Sequence, residues 1–170
     1  MRVSAKSVAP ELDWAMRKSG ALVLGVGNLL MGDEGAGVHA IRFLEQHSWP
    51  KDVAFIDGGT TGFHLLSCFE DYDPIVMIDA TMDGQLPGTV SLLEPEFASD
   101  FPRALTAHDI GLRDLIEAAS LLRPLPKIFL ITISIKELQS MSTNLSPEVR
   151  QSLESIPALI CRHLPVVQSI

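Results

Sequence analysis

Three short runs decide what this chain can fold into. Pro74–Asp79, written PIVMID, is apolar until its last residue brings in an acid, and Ala21–Val26 and Lys127–Ser134 are nearly as continuous. A strand with one face in water alternates apolar and polar residues, whereas a strand covered on both faces does not. Between these runs lie segments with helical spacing. Asp33–His47 places apolar residues at Ala36, Val38, Ala40, Ile41, Phe43 and Leu44. Val53–Ile56 reads as a second strand, and Thr60–Phe69 as a helix with Thr60 or Thr61 as N-cap. Gly88–Leu93 reads as a fourth strand at a sheet edge, and Ile110–Leu122 as a helix stopped before Pro124. Ser146–Leu164 reads as a last helix, with Ser146 and Pro147 as N-cap and first residue and a kink at Pro157. Strands alternating with helices predict a three-layer α/β sandwich, with helices on both faces of a twisted, mostly parallel five-stranded sheet. In such a sheet ligands collect beyond the carboxyl ends of the strands.

The 170 residues suffice for one domain, expected over residues 21–170 behind an N-terminal extension of residues 1–20. A formal net charge of −8 disfavours nucleic acid and anionic membrane surfaces as partners. No segment supplies the roughly eighteen uninterrupted apolar residues of a membrane span. The start of the chain lacks the apolar centre of a secretory signal. Cys68 and Cys161 have no metal or disulfide spacing and read as buried or half-buried free thiols, fitting a reducing cytoplasm.

Chemistry first shows in Gly25–Gly37, GVGNLLMGDEGAG, directly after the first strand. Gly25, Gly27 and the strand-terminal Asp57 suggest a dinucleotide site, but Leu30 stands where a third glycine belongs. Asp33 and Glu34 stand where a pyrophosphate would meet the helix N-terminus, and they would repel it. Asp33 alone is accounted for as a helix cap. Glu34 is not, and a carboxylate presented by a loop invites a cation. Asp79 closes a buried strand, and His108 in TAHDIGL precedes a helix, so all three fall on one expected edge. Two carboxylates and an imidazole with open positions suit zinc, nickel or a similar divalent ion, which can polarise a carbonyl or lower the pKa of a water. His39, His47, His64 and His163 read as surface or packing residues. Asn28 is placed to hold the loop through its side chain. Gly35 and Gly37 cost helix stability and point to close approach of another backbone or of a partner.

The ordered blocks GVGNLLMGDEGAG, IDGGTTG, IVMIDA, AHDIGLRDLI and LSPEV resemble the hydrogenase maturation endopeptidases, over about Ala21 to Leu164. The resemblance implies an α/β fold and a peptidase of the aspartic-type endopeptidase class. It implies removal of a C-terminal extension from the large-subunit precursor of a [NiFe] hydrogenase after nickel insertion, with the cut after a basic residue. It carries catalytic and metal-binding roles to Glu34, Asp79 and His108. The ion is expected to be the substrate's own nickel, with zinc or cadmium able to substitute. Asp57, Gly58, Gly59 and Thr60 are implied as a mobile substrate-binding loop, and the enzyme is expected to be a cytoplasmic monomer. One departure from the family pattern is Ile133–Leu138, ISIKEL, which lacks a glycine and a proline usual after the fifth strand and leaves substrate subtype open. A noncatalytic nickel-sensing chaperone and a dinucleotide-binding domain are the competing readings. Cys68 as a nucleophile ranks below metal-assisted hydrolysis, because no base partner is recognisable.

Overall fold

A computed structural model describes residues 20–60, 62–101 and 111–164. The strands β1 (Ala21–Gly25), β2 (Val53–Asp57), β3 (Ile75–Thr81), β4 (Val90–Leu93) and β5 (Ile128–Ser134) form one sheet in the order β2-β1-β3-β5-β4. All neighbours run parallel except β4, which lies antiparallel on β5 at the edge. The helices are α1 (Ala36–Leu44), α2 (Cys68–Asp71), α3 (Leu112–Leu122), α4 (Pro147–Ser152) and α5 (Ile156–His163).

The unbroken strands bury both faces. Val76, Ile78 and Ala80 of β3 join a core with Ala36, Ala40 and Ile41 of α1, Val149 of α4, and Ile156 and Ile160 of α5. Ile75 and Met77 face the other way, toward Cys68 and Phe69 of α2 and Leu112, Leu115 and Ile116 of α3. This is the expected three-layer sandwich. Asp79 continues the Ile75–Met77 face by the two-residue period of a strand, so it belongs to the α3 side.

Several expected boundaries are corrected. The first helix does not begin at Asp33: residues Gly32–Gly35 form a 3₁₀ turn, and α1 ends at Leu44, leaving His47 beyond it. Thr60 does not cap a helix, and Thr61 lies outside the described residues; the segment enters a 3₁₀ turn at Phe63–Ser67 from an extended Gly62, then the single turn of α2. The fourth strand is shorter than Gly88–Leu93, the fifth begins one residue after Lys127, and the described start of the third helix is Leu112, Ile110 lying outside the described residues. The last helix is two helices. Pro157 lacks an N–H and its ring crowds the preceding turn, and a 3₁₀ turn at Leu153–Ser155 absorbs the break. Pro147 does start α4, but Ser146 makes no side-chain cap. Cys68 is buried as expected, whereas Cys161 is exposed. Among the described residues no helix is long and apolar enough to cross a membrane.

Candidate functional site

The strand order reverses between β1 and β3: the chain leaves β1 for one side of the sheet and returns on the other. An open α/β sheet has its crevice at such a switch point, because the following connections diverge to opposite faces. Glu34 sits in the loop leaving β1, and Asp79 sits near the carboxyl end of β3. The 3₁₀ turn holding Glu34 packs against β3. The structure therefore brings together two of the acids singled out from sequence. His108 lies outside the described residues; α3 starts four positions downstream of it, on the face that Asp79 shares.

The glycine loop is folded onto itself. The Asn28 carboxamide oxygen accepts the Leu30 N–H at 3.0 Å, the side-chain anchoring expected of it. The Glu34 carboxylate accepts the Asn28 N–H at 2.6 Å, which closes the loop from the other side. Gly27 has φ 141°, and a Cβ there would come within 2.0 Å of the Glu34 carbonyl oxygen. Backbone and a carboxylate thus fill the hollow in which a glycine-rich loop would cradle phosphate.

Asp33 does not cap the helix that follows it. It is 1% exposed, and its Oδ1 accepts the Ser146 N–H at 2.6 Å, at the N-terminus of α4. The Gln139 amide bridges the same residue, donating to Asp33 Oδ2 and accepting the Asp33 N–H, both at 3.3 Å. A further tie is the bridge between Met31 and Ser142, with the Gly32 N–H donating to the Ser142 carbonyl at 2.7 Å. Asp33 is a strut from the acid loop to the last third of the chain. Asp33→Ala would strand the partly buried Ser146 N–H and the Gln139 amide. We expect a loss of about 2–3 kcal/mol in urea denaturation, with Asp33→Asn losing clearly less because it keeps an acceptor.

Asp79 keeps part of its surface in solvent, but its carboxyl is packed by surrounding protein. That desolvation pushes it up to about 7; the Ala80 N–H, 2.8 Å from Oδ1, works against the shift, and the charge of Glu34 adds to it. The two acids are thus within electrostatic reach and each is tied to a backbone amide. A bound cation would favour the ionised form of both.

Asp57–Thr60 lies beside the glycine loop. Gly58 N–H donates to the Gly25 carbonyl and Gly27 N–H to the Gly59 carbonyl, both at 2.8 Å. Asp57 accepts the Gly59 N–H at 2.9 Å and pairs with Arg42 at 3.6 Å. Gly58 is buried; Asp57 and Thr60 are exposed. The loop expected to be mobile is fastened to the site loop along its first three residues.

The remaining candidates do not converge on this edge. His39 is half-buried on α1, its Nε2 has no hydrogen-bond partner among the described residues, and burial followed by the Arg42 charge lowers its pKa. His47 bonds the Phe43 carbonyl, and both His47 and His64 are exposed. His163 stacks on Phe129. Burial, then Asp71, raises the pKa of the Cys68 thiol, so it is a poor nucleophile. Among the described residues no three His, Cys, Asp or Glu side chains gather as a metal set, so Glu34 and Asp79 need a partner from elsewhere.

Sequence reasoning missed an apolar rim. Leu30, Phe63, Met82, Leu86 and Met141 are exposed, and all lie on segments leaving the carboxyl ends of β1, β2, β3 and β5. Met141, 91% exposed, is held at φ 61°, outside the region a non-glycine residue prefers. Periodicity could not identify these residues, because they lie outside regular elements.

Residues 38–163 match the family model described as hydrogenase maturation protease. The hydrogenase expression/formation protein HupD of Bradyrhizobium diazoefficiens is 35% identical over 147 residues, which span 84% of this chain and 77% of that protein. The hydrogenase 2 maturation protease of Escherichia coli K12 is 35% identical over 141 residues, 81% of this chain and 85% of that protein. The solved structure of the hydrogenase maturating endopeptidase HybD from E. coli matches with a TM-score of 0.71 and 32% identity, covering 84% of this chain and 93% of that one. The chain belongs to the hydrogenase maturation protease family. It is a peptidase, which sets aside both the dinucleotide-binding and the noncatalytic chaperone readings.

Proposed function

We propose that this peptidase removes the C-terminal extension from the large-subunit precursor of a [NiFe] hydrogenase once nickel has been inserted. It does so in the cytoplasm, as a monomer that meets a folded partner. Glu34, Asp79 and His108 hold the nickel that the precursor brings. The observation that carries this reading is the meeting of Glu34 and Asp79 at the switch point of a sheet whose chain is a hydrogenase maturation protease. Two carboxylates and one imidazole suit a divalent first-row ion and leave positions open for groups of the precursor.

In this site the precursor's nickel serves as both address and anchor. An empty precursor lacks the cation that the two acids would ligate, so its docking gains nothing from them. A loaded precursor places the peptide bond beyond its metal site against the carboxyl edge. Hydrolysis adds water across that bond, the hydroxyl going to the carbonyl carbon and the proton to the leaving nitrogen. Asp57, Gly59 and Thr60 border the approach, and the exposed apolar rim supplies the kind of surface that seats a folded protein.

The test uses precursor prepared with and without nickel, incubated with wild type and with Asp79→Asn, the products being weighed by intact mass spectrometry. Loss of the C-terminal peptide is expected only for loaded precursor and wild-type enzyme, with the variant slower by about a hundredfold or more. Equal cutting of empty and loaded precursor would sink the nickel requirement. Full activity in Asp79→Asn would remove Asp79 from the site.

A further inference from the structure

A second feature of the same edge lies where ISIKEL departs from the family pattern. The segment after β3 and the segment after β5 enclose a cleft of ≈ 390 Å³, lined by Met82, Gly84, Gln85, Pro87, Ile135 and Lys136. The cleft is preformed. Asp83 accepts the Ser134 hydroxyl at 3.1 Å, the Gln85 N–H at 3.1 Å and the Gln85 side-chain amide at 2.9 Å. The Ile135 N–H donates to the Thr81 carbonyl and the Gly88 N–H to the Ser134 carbonyl, both at 2.9 Å. One wall is thus pinned to the other, and little ordering is left to do on binding.

Its chemistry is mixed. Met82, Pro87 and Ile135 give apolar walls. Lys136 is exposed and makes no hydrogen bond or ion pair with any described residue. The cleft begins three residues beyond Asp79 on the same strand exit. Lys136 is the cation among the residues lining the cleft; the Asp83 carboxylate on the same wall is taken up by its three donors, and Glu137 follows Lys136 in the chain, so a carboxylate entering here has Lys136 as its charge partner. A peptide laid along the cleft is oriented by that contact.

We propose that this cleft is the subsite for the released side of the substrate: it binds the precursor's C-terminal extension through an apolar side chain against Met82 and Pro87 and a carboxylate at Lys136. This rests on the processing reading above. The carboxylate comes either from an acidic side chain of the extension or from its terminal carboxyl, and both present the same group to the lysine. Lys136 is a specificity-determining residue, not a catalytic one.

The test is a kinetic matrix with nickel-loaded precursor. The enzymes are wild type, Lys136→Glu, Lys136→Arg and Glu34→Gln. The substrates are native precursor, precursor with the acidic side chains of its extension made amides, and precursor ending in a carboxamide. With native precursor, Lys136→Glu is expected to raise KM about tenfold while kcat changes less than twofold, and Lys136→Arg is expected to restore KM. One of the two altered precursors should be cut with the same KM by wild type and Lys136→Glu, and which one it is identifies the source of the carboxylate. The proposal is overturned if Lys136→Glu matches wild type on native precursor while Glu34→Gln is inactive; the site reading then stands alone. If Glu34→Gln also cuts normally, the site reading fails and the subsite falls with it.

Discussion

Glu34→Gln leaves the loaded precursor at its full mass, with cleavage expected to fall by about a thousandfold or more. The substitution is chosen for what it preserves. The Glu34 carboxylate accepts the Asn28 N–H at 2.6 Å, and a glutamine oxygen can accept the same bond. The loop stays closed, the volume is unchanged, and only the charge that would hold a cation beside Asp79 is gone. Far-ultraviolet circular dichroism and the thermal midpoint should therefore match wild type. Glu34→Ala is a less clean experiment because it also opens the loop at Asn28. A glutamine variant that cut at the wild-type rate would show that Glu34 serves the loop and not the chemistry.

The second large effect is on the fold. Gly37 lies in the first turn of α1, where the helix rests on the backbone of two strand exits. A Cβ there would come within 2.2 Å of the Val26 carbonyl oxygen and 2.3 Å of the Ile78 carbonyl oxygen. Neither is the end of a flexible side chain, so the helix itself must back away. Gly37→Ala is expected to cost about 3–5 kcal/mol, although alanine is the better helix former at an exposed site. Urea denaturation monitored by circular dichroism reads it directly. A loss below about 1 kcal/mol would mean that α1 can shift without disturbing the core. Where the variant still folds, cleavage should fall as well, because the turn carrying Glu34 leads into this helix.

What could be read from the sequence follows a physical line. The strands were legible because burial on both faces forces an apolar residue at nearly every position, and Asp79 stood out as the acid ending such a run. The close approach at Gly37 was legible because a glycine early in a helix is costly unless another backbone needs the room. The role of Asp33 was not. A side chain before a helix looks like a cap, and nothing local reports a partner more than a hundred residues away at Ser146. The segment from Thr60 to Phe69 carried helical spacing, yet a 3₁₀ turn and a short α-turn satisfy the same apolar positions at Leu65, Cys68 and Phe69. The exposed thiol of Cys161 illustrates another limit: the residues before it, Ala158–Ile160, are apolar, but it lies on the solvent side of α5. The apolar rim and the Lys136 cleft are built from loops, where position depends on how distant strand ends meet.

The strut from Asp33 to Ser146 has a consequence for the order of events during synthesis. The two acids and the glycine loop are translated early, but the amide that fixes Asp33 arrives only when α4 emerges. A growing chain still short of that point has its acid loop but not the backbone amide that satisfies Asp33, so the brace closes only when segments from opposite ends of the domain have both been made.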